Sequence, residues 1–181
     1  MPISAFKLIT PTSIVVAGGT ASVGQFGKVS FSAATSLSLN GVFSSTYDNY
    51  MVVVRNNGSG LLTIRGRLRA SGTDNTTASS YVTQYLFANG ASVTALRYSP
   101  DTFMALFVAS ATQRDGHVGY FFGPYLAQPT AVRSVTSYGE DGARMFDTAS
   151  THNQSTAYDG FTMYVASGSF SGEIAVYGCN Q

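Results

Sequence analysis

The closing stretch of the chain alternates apolar and polar residues with a period of two. Phe161 and Met163 fall on one side of an extended segment, and Ile174 and Val176 repeat the pattern further along. This period is typical of a β-strand, in which successive side chains point to opposite faces, and not of a helix. Glycine and serine residues between the two segments tolerate a tight turn. The pattern predicts a hairpin, half-buried against a second sheet, with strands over Phe161–Ala166 and Glu173–Tyr177.

Strand patterns of this kind run through most of the chain, whereas no long window carries convincing helical spacing. Turn dipeptides such as Asn40-Gly41 and Asn89-Gly90 separate the segments. Nine further strands are predicted: Lys28–Ser32, Ser36–Leu39, Tyr50–Arg55, Leu61–Ala70, Tyr81–Phe87, Val93–Tyr98, Phe103–Val108, His117–Phe122 and Ala131–Ser137. So many short strands predict an all-β chain folded as a β-sandwich, most typically a jelly roll, with an open-ended barrel as the alternative.

The first 27 residues differ from the rest. Two short apolar patches, Phe6–Ile9 and Ile14–Ala17, precede a flexible and almost uncharged glycine-rich segment. We therefore expect an extended N-terminal arm and linker over residues 1–27, which attaches to a partner, and a knob domain over residues 28–181. Phe6, Leu8 and Ile9 are the interface candidates in this arm. A frayed tail or a first edge strand of the same domain is the alternative.

Composition favours a protein that works by contact with other proteins. Only 10% of the 181 residues are charged, against about 25% in an average soluble domain. Faces of low charge are expected to be covered by identical copies or by a larger assembly, although a charge-poor monomer is the alternative. The net charge of +1 gives no field that would attract nucleic acid. No stretch approaches the roughly 18 apolar residues of a membrane span, so no membrane insertion is expected.

Residue types suited to catalysis are scarce. The chain has two histidines and one cysteine, too few for a convincing metal site, and it has no P-loop or nucleophile-elbow motif. His117 is predicted to be half-buried at a strand end, and His152 to be exposed in a polar loop. We therefore expect no enzyme activity and no cofactor. A glycosidase built on two of the scattered carboxylates is a weaker alternative, because distant residues can converge.

Three arginines alternate along one predicted strand. Arg65, Arg67 and Arg69 fall on the face opposite Ile64 and Leu68, about 7 Å apart. Three like charges in a row need partners, so they are candidates for an interface with carboxylates of an adjoining subunit or with an anionic surface. The alternative is a solvated face whose acidic partners lie on neighbouring strands.

Three segments resemble a known family. They are VFSSTYDNY at Val42–Tyr50, LTIRGRLRASGTDN at Leu62–Asn75 followed by Tyr81, and AYDGFTMYVASGSFSGEIAVYG at Ala157–Gly178. Together they resemble a small β-domain that recurs in structural proteins of tailed bacteriophages, such as fibre knobs, minor head or tail proteins and capsid decoration proteins. The resemblance spans roughly Ser36–Gly178. It implies a non-enzymatic component of the virion, often a homotrimer, attached to the particle through its N-terminal part.

The sequence thus leads to one main hypothesis and one alternative. The main hypothesis is a virion surface knob, made in the host cytoplasm, that self-assembles and decorates or attaches to the capsid or tail. This sequence has no long collagen-like or coiled-coil shaft before the knob, so we expect a compact protein and not a long tail fibre. The alternative is a receptor-binding fibre tip that recognises host surface glycans through the loops Gly72–Ser80 and Glu140–Thr156.

Overall fold

The computed structural model describes residues 6–111, 114–139 and 143–179, and these residues are almost entirely β-structure. One short 3₁₀ turn, Gln25–Gly27, is the only helical element among them. The strands are β1 Lys7–Ile9, β2 Ser13–Ala17, β3 Thr20–Val23, β4 Val29–Ala34, β5 Ser36–Asn40, β6 Asn49–Gly58, β7 Leu62–Ala70, β8 Thr73–Asp74, β9 Tyr81–Asn89, β10 Ser92–Asp101, β11 Met104–Ala109, β12 Asp115–Phe122, β13 Thr130–Gly139, β14 Ala143–His152, β15 Gly160–Tyr164 and β16 Phe170–Cys179.

The strands form two antiparallel sheets that pack face to face. The large sheet has the order β10-β9-β14-β13-β12-β6-β16-β4-β3, and β1 pairs with the C-terminal end of β16. The small sheet has the order β11-β7-β15-β5-β2, with β8 paired to β7. This arrangement confirms the predicted all-β sandwich. The jelly-roll assignment stays a prediction.

Aromatic rings join the two sheets across the core. Phe43 packs against Tyr50 of β6, Phe121 of β12 and Phe161 of β15, with ring centroids 4.7, 5.5 and 5.7 Å apart. β6 and β12 belong to the large sheet and β15 to the small one, so this cluster ties the layers together. Interior rings of this kind bury much apolar area and add a geometric preference, which stabilises one mutual position of the sheets.

The predicted C-terminal hairpin is wrong in its connection. The alternation was identified correctly, since Phe161 and Met163 are buried in β15 and Ile174 and Val176 in β16. However, β15 pairs with β5 and β7 of the small sheet, whereas β16 pairs with β6 and β4 of the large sheet. The turn therefore crosses from one layer to the other. A period of two gives the buried face of each strand, but it does not distinguish a hairpin from two strands facing each other across a core.

The prediction of an extended N-terminal arm is also corrected, for residues 7–23. β1 pairs with β16, β2 with β5 and β3 with β4, so residues 7–23 belong to both sheets. The first-edge-strand alternative is the one the structure supports. Ile9, Ile14 and Val16 pack against the main core, because the outermost strands of each sheet need inward apolar side chains to close the sandwich.

Most other predicted strands are present, with ends shifted by a few residues. Strand β14 was not predicted, because the serines, threonines and alanines of its second half are typical of a loop. In the structure Thr148 and Ser150 point inward and bond to hydroxyls of neighbouring strands, Ser134 and Thr83. Polar residues thus occupy inward positions in this strand, and their hydrogen bonds satisfy the buried hydroxyls.

The three segments that carry the family resemblance contact one another. Tyr158 accepts a hydrogen bond from Asn75 Nδ2 at 2.8 Å, and the Asp159 carboxylate accepts one from the Ser71 N–H at 3.0 Å. An ideal Cβ on Gly178 would meet the ring of Tyr47. These residues therefore build the fold, and their pattern by itself locates no binding site.

Candidate functional surfaces

The outer face of the large sheet, which points away from the small sheet, is unusually apolar. Directly opposed residues form a row across seven adjacent strands: Ala175, Val53, Val118, Val135, Asp147, Leu86 and Ala95. Only one of the seven is charged. With strands about 4.8 Å apart, the row is about 29 Å long. We call this surface the outer face; it consists of this row, one neighbouring row on the side of Met145, and two on the other side, which contain Tyr120 and Phe122.

Large apolar side chains on the outer face lie open to solvent. Leu86 is 49% exposed, Val135 42% and Met145 56%. Tyr120 and Phe122 stand next to each other on β12, with ring centroids 6.4 Å apart and ring planes 21° from parallel. Scattered apolar residues are normal on a protein surface, whereas a continuous patch of this kind marks a contact site.

The central charges of the outer face neutralise each other. Arg133 donates from Nε to Asp147 Oδ1 at 2.7 Å and from Nη2 to the other carboxylate oxygen. This two-pronged pair holds both groups in a fixed geometry. A partner could therefore cover the middle of the face without leaving either charge unpaired.

The N-terminal interface candidates divide between the core and this face. Leu8 lies opposite Tyr177, whose next neighbour in the row is Met51, so Leu8 extends the outer face. Phe6 is 54% exposed, whereas Ile9 is partly buried against the core.

The outer face of the small sheet is polar, and it carries the three arginines. The Arg65 guanidinium lies 4.1 Å from the ring centre of Phe103, and that of Arg67 lies 4.6 Å from the ring centre of Tyr164. Arg67 also donates from Nε to the Thr102 carbonyl at 3.0 Å. Cation–π contacts and this hydrogen bond hold the two side chains against the sheet.

Arg69 is removed from the set of interface candidates. Its side chain is buried, and its Nη1 donates to Asp74 Oδ1 at 2.8 Å and to Thr162 Oγ1 at 2.6 Å. Nη2 donates to the Gly72 carbonyl. The carboxylate partner comes from β8, where Asp74 lies directly opposite Arg69, and not from another subunit, so Arg69 holds the β7–β8 hairpin together.

Both histidines are buried, which contradicts their predicted positions. His117 lies within β12, hydrogen-bonded to Asn56 and stacked on Phe107. His152 ends β14 and bonds to Tyr158. Burial lowers the pKa of His117 to about 3 and that of His152 to about 4. Both imidazoles are neutral at pH 7, and with side chains 2% and 1% exposed neither is open to a substrate.

Other candidate sites receive no support from the described residues. Within residues 6–111, 114–139 and 143–179, no group of three or more His, Cys, Asp or Glu side chains could hold a metal ion. The same part of the chain contains no helix long and apolar enough to cross a bilayer. The second loop predicted to recognise glycans, Glu140–Thr156, is not a loop over residues 143–152, which form strand β14. Residues 140–142 of that loop lie outside the described part.

The outer face was not predicted as a surface. Its signal is the run Met51–Val54, where consecutive apolar residues place apolar side chains on both faces of the strand, whereas a half-buried sheet covers only one of them. Aligning that run with Val118, Val135 and Leu86 needs the order and register of the strands, which the sequence does not supply.

No protein-family model and no curated protein matches the chain. Among solved structures, it is similar to the second N-terminal cellulose-binding domain of β-1,4-glucanase C from Cellulomonas fimi, at 11% identity and a TM-score of 0.27, over 99% of this chain and 89% of that chain. It is also similar to a seed lectin isoform of Lotus tetragonolobus, at 8% identity and a TM-score of 0.29, over 94% of each chain. At these TM-scores the similarities carry no argument about function.

Proposed function

We propose that this chain is a non-enzymatic structural protein of a tailed-bacteriophage virion, which assembles with copies of itself through the outer face of the large sheet. The proposal of self-assembly rests on one observation, the apolar row across seven strands that is centred on Val135. The resemblance of the three segments to virion β-domains supports the setting in a particle, and the low content of charged residues agrees with both.

The size of the outer face suits a contact between copies. Four rows of outward residues spaced about 6.8 Å apart, each about 29 Å long, cover roughly 600 Å² in projection. Stable interfaces bury about 800 Å² per partner. A symmetric contact uses the same patch on each copy, so one apolar face can serve both sides of it. The pair Arg133–Asp147 neutralises itself at the middle of the face, so a contact there leaves neither of these charges unpaired.

Placing a charge in the row tests the self-assembly. Val135→Lys puts an ammonium opposite Asp147 and two residues from Arg133 on the same face, so each copy gains one uncompensated positive charge in the middle of the row. Val15→Lys is the matched control, since Val15 is 55% exposed on the outer face of the small sheet. Light scattering after size-exclusion chromatography should give a multiple of the 19.1 kDa chain mass for the wild type and the control, and a monomer for Val135→Lys. A monomeric wild type, or an unchanged mass for Val135→Lys, would refute the contact.

The homotrimer and the particle are tested separately. A mass of three chains supports the trimer implied by the resemblance, and a dimer or tetramer contradicts it. Mass spectrometry of purified particles from a host that expresses this gene should detect the chain, and a labelled copy should locate it on capsid or tail. If purified particles lack the chain, the assignment to the virion is wrong.

Recognition of host surface glycans by a fibre tip is kept as the second candidate function. The outer face of the small sheet favours it, because polar side chains surround a depression there: Ser36, Ser38, Arg67, Asp74, Thr162 and Tyr164.

A further inference from the structure

The geometry points to a binding site for one neutral pyranose unit in this depression, which we call the small-sheet groove. Its volume is about 320 Å³. Small-molecule sites start near 300 Å³, so the groove has room for a single sugar ring. The inference rests on the second candidate function, glycan recognition, and it is independent of self-assembly.

Two cross-strand rows form the floor of the groove. Ser38, Thr162 and Arg67 lie directly opposite one another on β5, β15 and β7, and Ser36 lies opposite Tyr164. Strands of a packed sheet hold these side chains in fixed positions. Little conformational freedom is lost when a ligand binds, which favours affinity for a small polar molecule.

Asp74 supplies a free acceptor at the edge of the groove. Its Oδ1 accepts hydrogen bonds from Arg69 Nη1 at 2.8 Å and from Thr162 Oγ1 at 2.6 Å. Oδ2 makes no hydrogen bond with the described residues, and the Asp74 side chain is 24% exposed. The carboxylate is thus anchored through one oxygen and presents the other to solvent, where it can accept from a ligand hydroxyl.

Arg67 supplies donors in the same groove. Its guanidinium is held by the Thr102 carbonyl through Nε and by the face of Tyr164. Nη1 has no hydrogen-bond partner among the described residues, so at least two N–H groups are available to a ligand oxygen. As with Asp74, the side chain is positioned before any ligand arrives.

A fixed carboxylate and a fixed guanidinium together match neighbouring sugar hydroxyls. Each hydroxyl both donates and accepts, so one can donate to Asp74 Oδ2 while the next accepts from Arg67. Asp74 is paired with Arg69 through Oδ1, but its free Oδ2 would repel the carboxylate of an acidic sugar placed beside it, which favours a neutral ligand over an anion. The groove lies on the sheet opposite the outer face, so it stays open when copies assemble.

Titration with single sugars tests the site. The probes are the methyl glycosides of glucose, galactose, mannose and N-acetylglucosamine, with glucuronate as the anionic comparison, each followed by saturation-transfer NMR and calorimetry. We expect at least one neutral glycoside to bind with a Kd of about 1–10 mM, as one ring with few contacts would. Arg67→Gln should weaken this binding at least about tenfold, because the sugar loses its hydrogen bonds to the guanidinium. Arg97→Gln, an exposed arginine on the large sheet, should leave it unchanged.

The outcomes separate the site from the function on which it rests. Thermal denaturation of Arg67→Gln checks that the variant is folded, and Asp74→Asn, which changes the other group that would meet the ligand, serves as a second groove variant if it is not. Neutral-sugar binding that persists in a folded groove variant would overturn the site while leaving glycan recognition in place. If none of the five sugars binds, the site and glycan recognition both fail. Binding of glucuronate alone would overturn the assignment to a neutral sugar.

Discussion

His152 and Tyr158 form a buried pair in which Nε2 of the imidazole lies 2.6 Å from the phenolic oxygen. That oxygen also accepts a hydrogen bond from Asn75 Nδ2 at 2.8 Å, so the phenol hydrogen is free to point at Nε2. The imidazole stacks on Tyr81 with ring centroids 4.1 Å apart. Burial lowers the pKa of His152, because protonation would place a desolvated charge between two buried rings.

The two buried histidines predict a stability that falls as the pH falls. Unfolding returns each imidazole to a pKa of 6.5, from about 3 for His117 and about 4 for His152 in the folded chain. Below pH 6.5 the unfolded state therefore binds more protons, and the free energy of unfolding should drop by up to about 1.4 kcal/mol per pH unit for each histidine. Urea denaturation at steps between pH 7.5 and 4.5 measures this slope.

A variant isolates one of the two contributions. His152→Phe keeps a ring against Tyr81 and removes the titrating group. It should lower stability at pH 7.5, because Tyr158 loses its partner, and it should also reduce the slope between pH 6.5 and 4.5. Equal stability of the wild type at pH 7.5 and pH 5 would contradict the burial of neutral histidines.

The sequence predicted the β class and the inward-facing positions well, because burial with a period of two is a local signal. Alternate residues of β16 are buried along its whole length, as the pattern around Ile174 and Val176 indicated. β13 shows the same regularity. The ends of strands were less well placed, since the turn residues only bracket them.

What the sequence could not supply is which strands become neighbours. β15 and β16 follow each other in the chain and belong to different sheets, and the carboxylate partner of Arg69 lies on β8. The outer face needs the register of seven strands, and the groove needs the pairing of β5, β15 and β7. These are long-range properties, decided by packing of the whole core and not by any local pattern.

Gly160 is predicted to be irreplaceable for a backbone reason. It begins β15, where an ideal Cβ would lie 2.2 Å from the Leu39 carbonyl oxygen of the paired strand. Gly160→Ala must push β5 and β15 apart and should cost about 2–4 kcal/mol of unfolding free energy. For a chain of this size that lowers Tm by roughly 5–15 °C, measurable by circular dichroism.

Gly116 provides the matched control for Gly160. It lies in β12, and a Cβ there would meet no atom within 4 Å. Gly116→Ala should change stability by less than about 0.5 kcal/mol. Equal Tm values for the two alanine variants would show that the close approach of β5 and β15 is not as described.

Arg69 is predicted to stabilise the fold, whereas an exposed arginine does not. Arg69→Met leaves Asp74 and Thr162 without their donor and should cost about 3 kcal/mol, less than for a fully enclosed pair because Asp74 is partly solvated. Arg97→Met, on the exposed strand β10, should be close to neutral. Urea denaturation of both variants measures the difference. A neutral Arg69→Met would return Arg69 to the set of surface residues.

Deletion of residues 1–27 is predicted to unfold the domain and not merely to detach it from a partner. The truncation removes β1, β2 and β3, which uncovers the edges of β5 and β4 and the edge of β16 over Val176, Tyr177 and Gly178. It also removes Ile9, Ile14 and Val16 from the core. Because the chain loses edge strands of both sheets, we expect aggregation, or a Tm lowered by more than roughly 10 °C. Phe6→Ser, which changes an exposed side chain of the same segment, should keep the wild-type Tm. A truncated chain that melts like the wild type would restore the independent arm, and only then would its loss from particles report on attachment.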